Sequence, residues 1–103
     1  MTVIGADKAV AGIVNDVWVD RSEIVIRYLE VSLASGRSVL VPINFTRISG
    51  RQVKVQSILA AQFAHVPLTR KPNTVTALEE DKIMAYYGGG SLYATPGRQE
   101  PLL

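Results

Sequence analysis

The sequence predicts a mainly β domain, a small barrel of about five to six antiparallel strands with one helix near the C-terminus. Three observations predict it. Two long runs, residues 9–19 and 24–33, alternate in polarity and are rich in valine, isoleucine and aromatic residues. The clusters Asp20-Arg21-Ser22-Glu23, Ala34-Ser35-Gly36-Arg37 and Ser49-Gly50-Arg51 fall between strand-like runs as turns. Thr76-Ala77-Leu78-Glu79 is a capping-box pattern placed just before an apolar stripe.

Residues 1–8 form a short lead that ends in the turn-like Gly5-Ala6-Asp7-Lys8. In the first long run, Ile13, Asn15, Val17 and Val19 are expected on one face, and Val14, Asp16, Trp18 and Asp20 on the other. Neither face is wholly apolar, which suits a barrel wall better than a sandwich core. In the second run, Val25, Arg27, Leu29, Val31 and Leu33 point one way, and Ile24, Ile26, Tyr28, Glu30 and Ser32 the other. An arginine in a line of aliphatic residues must lie at a rim or be paired.

Residues 38–42 are a third strand, and Pro42 places it at an edge or marks its end. Residues 45–48 and 52–55 make a shorter hairpin with Val53 and Val55 facing inward. Residues 57–64 lose the alternation, and Ile58, Leu59 and Phe63 fit a short helical turn. Residues 66–74, with Pro67 and Pro72, read as an extended connector. In the helix that follows, Glu79, Glu80 and Asp81 load the first turn with negative charge, Ile83, Met84 and Tyr87 form the apolar stripe, and Gly88-Gly89-Gly90 stops it. A short strand over 91–95 and a tail over 96–103 complete the chain. The organisation is one domain, with a β-barrel part over 1–66 and a connector, helix and tail over 67–103 that pack on the barrel or on partner subunits.

Apolar residues make up 48% of the 103 and charged residues 19%, enough for one modest core and unlike a disordered chain. A net charge of +2 is too weak to argue for nucleic acid. The absence of cysteine excludes a disulfide framework, a thiolate metal site and a cysteine nucleophile. No apolar run approaches the roughly 18–20 residues that span a bilayer. With no disulfide and no signal peptide, a cytosolic location is the default.

His65 is the sole histidine, which argues against a multi-histidine metal site. The glycine triplet follows a helix, whereas phosphate-cradling glycines precede one. Arg47, Arg51 and Lys54 read as a solvated turn. No nucleophile–base pair is visible, so no catalytic residue is assigned.

The candidate site is the crowded end of the first hairpin, where Asp16, Asp20 and Glu23 fall near Arg21 and Arg27. Carboxylates that share a site raise one another's pKa, and an arginine lowers it. Such a cluster titrates as a unit and passes protons through water. On spacing alone a solvated β-corner is the plainer reading, and a two-carboxylate hydrolase lacks any supporting motif.

Gly12, Val14, Asp16 and Trp18-Val19-Asp20 together resemble the first hairpin of PRC-barrel domains. The stretches Arg27-Tyr28-Leu29-Glu30-Val31, Val41-Pro42-Ile43-Asn44-Phe45, Leu78-Glu79-Glu80-Asp81-Lys82-Ile83 and Gly89-Gly90-Ser91-Leu92-Tyr93-Ala94-Thr95-Pro96 resemble the cytoplasmic domain of the photosynthetic reaction centre H subunit of purple bacteria. The likeness runs from about Ala11 to the C-terminus. It implies a PRC-type barrel that caps the L and M subunits at the cytoplasmic face of the photosynthetic inner membrane. It also implies that the barrel shields the quinone sites and assists proton delivery to the secondary quinone.

The resemblance carries proton-transfer roles to Asp20, Glu23 and Arg27, with Asp16 beside them. Glu23 would lie nearest the L subunit, and Arg27 would hold the carboxylates in place. No cofactor is expected on this domain; bacteriochlorophyll, bacteriopheophytin, quinone and iron belong to the L and M partners. The family's N-terminal transmembrane helix has no counterpart in the sequence, so the chain is expected to be part of such a subunit, soluble by itself. The alternative is a stand-alone PRC-barrel interaction module, like that of the ribosome maturation factor.

Overall fold

The computed structural model describes residues 1–71 and 74–89. Six strands, β1 (Thr2–Ile4), β2 (Val10–Asp20), β3 (Val25–Leu33), β4 (Ser38–Pro42), β5 (Arg47–Ser49) and β6 (Gln52–Lys54), precede one helix, α1 (Ala77–Gly88). Short 3-10 turns occupy Ile43–Phe45 and Ala60–His65. The strands form a single sheet in the order β4-β3-β2-β1-β6-β5. The fold is therefore mainly β with one C-terminal helix, as the alternation and the capping box predict. The expected strand over 91–95 and the tail after it lie outside the described residues.

Two expectations about the sheet need correction. The reading of residues 1–8 as a simple lead into a turn overlooks β1, three β-branched residues too few to show a period. β1 inserts between β2 and β6, antiparallel to the first (Val3 opposite Gly12) and parallel to the second (Val3 opposite Val53). The sheet is therefore mixed and not wholly antiparallel, because the hairpin β5–β6 returns to the start of the chain. Gly5, just past β1, lets this happen: a Cβ there would lie 2.4 Å from the Ala60 nitrogen, and the Ala6 amide donates to the Ile58 carbonyl at 2.8 Å.

The second correction concerns the faces of β2. Opposed residues in an antiparallel pair share a face. Val14 lies opposite Val31, Asp16 opposite Glu30, Trp18 opposite Tyr28, Val19 opposite Ile26 and Asp20 opposite Val25, with irregularities between Val14 and Asp16 and between Trp18 and Val19. The first adds Asn15 to β2 and the second adds Arg27 to β3, and each resets the alternation of its own strand. Asp16, Trp18 and Asp20 thus stay on one face, with Glu30, Tyr28 and Val25 opposite them, and Val14 falls on the other, with Val31. Simple period-two counting places Val14 with the other three because a bulge leaves no mark in composition.

β4 and β5, the two outer strands, are consecutive in sequence and joined by the Ile43–Phe45 turn, so the sheet curls back on itself. Helix α1 lies against this seam. The Tyr87 hydroxyl donates to the Leu40 carbonyl at 3.0 Å, and the Phe45 and Tyr87 rings stack with centroids 6.0 Å apart. Val3, Val31, Val41, Val53, Val55, Phe63, Ile83 and Tyr87 are fully buried in one cluster. The helix therefore belongs to the barrel's own core. Its start is the expected capping box: the Thr76 hydroxyl accepts from the Glu79 amide at 3.1 Å, and the Glu79 carboxylate accepts from the Thr76 amide at 2.9 Å. The Gly89 amide donates back to the Ala85 carbonyl and ends it.

The hairpin from β3 to β4 turns at Gly36, whose φ of +92° suits a residue without Cβ. The following Arg37 reaches across to the carbonyls of Ala64 and Val66, and pins the start of the connector against the barrel. Among the described residues, no helix is long and apolar enough to cross a membrane.

Candidate functional site

The site grows from the tip of the β2–β3 hairpin. Asp20 closes the tip locally: its Oδ1 accepts from the Ser22 amide at 2.9 Å and from the Ser22 hydroxyl at 2.7 Å. This is the side-chain-to-backbone bond that makes aspartate a turn residue. The Ile24 amide then donates to the Asp20 carbonyl at 2.7 Å. Ile24 itself adopts a φ of +53°, a left-handed conformation that a β-branched side chain opposes.

Two residues into β3, the Arg27 guanidinium spans two carboxylates. Its Nη1 lies 3.7 Å from Asp20 Oδ2, and its Nη2 donates to Glu80 Oε2 at 2.7 Å. The Tyr28 hydroxyl donates to the same Glu80 oxygen at 2.7 Å. Glu80 sits in the first turn of α1, where the helix dipole also favours a negative charge. One chain of contacts thus runs from the hairpin tip to the helix N-terminus: Asp20, Arg27, Glu80, Tyr28.

The electrostatics follow from these bonds. The Ser22 hydroxyl and amide, with a smaller contribution from Arg27, hold the Asp20 carboxyl below the usual carboxylate range. The Tyr28 hydroxyl and then the Arg27 guanidinium hold Glu80 below it too, against partial desolvation. Burial and the Glu80 carboxylate push the Tyr28 phenol well above its ordinary value. Glu80 raises the Arg27 pKa further. At neutral pH the network is therefore two carboxylates, one guanidinium and a neutral phenol.

Of the four residues expected at the site, the structure joins Asp20 and Arg27. Asp16 lies further back along β2, opposite Glu30 and outside the network, with its Oδ1 accepting from the Val17 amide at 2.7 Å. Glu23 is exposed on the turn, and its carboxylate contacts no donor among the described residues. Glu80 and Tyr28 are the members that sequence reading leaves out. The signal for Glu80 is indirect: Arg27 needs a partner, and the first turn of the capped helix is the densest carboxylate run in the chain. Nothing local ties strand residue 27 to helix residue 80, because that pairing depends on the whole barrel closing.

Beside this chain of contacts runs an open groove of about 390 Å³, lined by Trp18, Val19, Asp20, Arg27, Thr74 and Ala77 among others. His65 lies at the end of the second 3-10 turn, exposed. Among the described residues, no group of three or more His, Cys, Asp or Glu is placed to hold a metal ion.

A curled sheet with a long protruding hairpin defines a small β-barrel module. Residues 1–62 match the PRC-barrel domain family, and the chain belongs to that family. The matched span ends within the second 3-10 turn, so Glu80 and α1 lie beyond it.

Proposed function

We propose that this chain is the cytoplasmic barrel domain of a photosynthetic reaction centre H subunit, a non-catalytic part of a light-driven electron-transfer complex. It caps the L and M subunits at the cytoplasmic face of the photosynthetic membrane, shields their quinone sites and assists proton delivery to the secondary quinone. Pigments, quinone and iron reside in L and M.

Residues 1–62 support the barrel. The H-subunit-like stretches at 78–83 and 89–96 lie beyond that span and support the finer reading. The observation that carries it is the Arg27–Glu80 bond: Glu80 belongs to the first of those stretches, and it closes onto the hairpin tip through Arg27 and Tyr28.

In this role Asp20 collects charge at the water-facing end, Arg27 fixes the spacing of the carboxylates, and Glu80 with Tyr28 anchors that arrangement to the helix. Both anchored carboxylates are ionised at neutral pH and arginine does not release its proton, so these groups order a water path rather than carry the proton themselves. Glu23, exposed at the tip and without a partner among the described residues, is the carboxylate that docking against L would bury and bring to the end of that water path. Asp16, further back along β2 opposite Glu30, is left out of the path.

The test is binding of the purified domain to L–M core particles stripped of H. Saturable binding that restores proton-coupled reduction of the secondary quinone is the expected result. No binding, with the same cores recovering on addition of intact H subunit, favours a stand-alone PRC-barrel interaction module. In the reassembled complex, Glu23→Gln should slow the proton-coupled step by about tenfold or more, the lower end of what removal of one positioned acid–base group costs. Asp16→Asn should leave it unchanged.

A further inference from the structure

A second cleft, of about 250 Å³, opens further back along the hairpin, beside Trp18 and Glu30, and its lining includes neither Asp20 nor Arg27. Trp18, Leu40, Pro67 and Leu68 form its apolar walls, and Glu30 contributes the charge. The Trp18 indole is fixed from two directions. Its Nε1 donates to Glu30 Oε1 at 3.0 Å, and its ring meets Tyr28 edge-on, with centroids 6.4 Å apart. The opposite wall is fixed as well, since Arg37 holds the carbonyls of Ala64 and Val66 just before Pro67.

This cleft is electrostatically incomplete. Glu30 is half-buried and lies directly opposite Asp16 across the β2–β3 ladder. Like charges in that position repel. The ion pairs among the described residues are Arg27 with Asp20 and Arg27 with Glu80, so no cation of the described chain answers Glu30. A flat aromatic face beside a carboxylate fits a planar cation: a guanidinium stacks on the ring and bonds the carboxylate through its fork. The volume is below that of a typical small-molecule pocket, so it suits one side chain and not a whole ligand. Leu68 is 52% exposed on the rim, and Pro67, Leu68 and Thr69 make no backbone–backbone bond with a described residue. The rim therefore offers a free backbone edge to a protein segment.

We propose that the cleft between Trp18, Glu30, Leu40 and Leu68 receives an arginine side chain presented by a protein partner. The inference stands apart from the reaction-centre assignment, because it uses the cleft of Trp18, Glu30, Leu40 and Leu68 and neither Asp20, Glu23, Arg27 nor Glu80.

Trp18 is the only tryptophan, so its fluorescence reports on the cleft directly. The probes are N-acetyl-arginine methylamide and its neutral isostere, N-acetyl-citrulline methylamide, titrated into the whole chain. The expected result is a saturable change with the arginine probe on the order of millimolar, as a single side chain allows. The citrulline probe should bind at least tenfold more weakly, and added salt should erode the difference. Glu30→Gln keeps an acceptor for the indole N–H, so it should leave the melting temperature unchanged while weakening the arginine probe at least tenfold. Equal binding of the two probes would overturn the proposal, as would a Glu30→Gln protein that binds arginine undiminished or a wild-type titration without saturation.

Discussion

The body of the barrel and the tip of its longest hairpin are built from similar residues and meet solvent in opposite ways. In the body, Val31, Val39, Val41 and Val53 are sealed by the facing wall, by Phe63 and by α1. At the tip, Val19, Ile24 and Ile26 are 51%, 84% and 46% exposed. β3 serves both, with Val31 buried and Ile26 exposed; what changes along it is whether a second layer lies over the strand. β2 is eleven residues long and extends past that layer, so its end is held by charge, through Asp20, Arg27 and Glu80, instead of by packing. The lesson is that β-branched content marks a strand, while curvature and bulges decide which of its side chains become core.

Four measurements would break or sharpen this contrast. The largest effect is expected in the body: Phe63→Ala empties a fully buried aromatic site and should cost about 3–5 kcal/mol in urea unfolding. A loss under about 1 kcal/mol would mean that the body is not the stability core. Trp18→Ala, at the border between body and tip, removes a half-buried ring and should cost less, roughly 1–3 kcal/mol. A loss equal to that of Phe63→Ala would extend the body into the tip.

Ile24→Gly should act in the other direction. It trades a left-handed isoleucine for a residue with no Cβ, and at 84% exposure little packing is lost. A gain of about 0.5–1 kcal/mol is expected, the relief of a left-handed β-branched residue less the added freedom of the unfolded chain. Destabilisation would show that the Ile24 side chain is packed after all.

The smallest effect concerns pH. Glu80 has a folded pKa below its ordinary 4.5. Its contribution is therefore complete above pH 4.5 and is lost as pH falls through the lowered value. Asp20 and Glu79 share that sign. Tyr28 and Tyr87 have the opposite sign: their raised values favour folding below pH 10, a contribution lost as pH rises above it. Melting temperature should be level across neutral pH and fall on the acid side. Glu80→Gln should flatten the acid limb with only a modest loss at pH 7, since the pair is partly solvated. An acid limb unchanged in the variant would remove Glu80 from the tip's support.

Much of this was legible in advance, for local reasons. The boundaries of β4, the short hairpin, the Phe63 turn and the capped helix all rest on signals within a few residues: Pro42, Ser49-Gly50-Arg51, the lost alternation and Thr76 with Glu79. The candidate site was legible only on its hairpin side. Asp20 and Arg27 sit close in sequence, and the run of acid at 79–81 was visible, yet its link to Arg27 spans 53 residues. The bulges of the hairpin were hidden because an inserted residue such as Asn15 or Arg27 differs in no way from a neighbour in a regular strand. The first of them moved Val14 off the face of Asp16, Trp18 and Asp20, where spacing alone put it.

The parallel pairing of β1 with β6 has a consequence for how the chain folds. β1, β2, β3 and β4 form a meander whose neighbours are joined by short turns, so each pairing closes a small loop. Val3 opposite Val53 closes a loop of some fifty residues, and its entropy must be spent before the contact returns anything. The meander should therefore assemble early and the β5–β6 hairpin should dock on β1 late, together with the helix over the seam. In the transition state for folding, substitutions at Val31 or Val39 should slow the forward rate, whereas those at Val53 should mainly quicken unfolding.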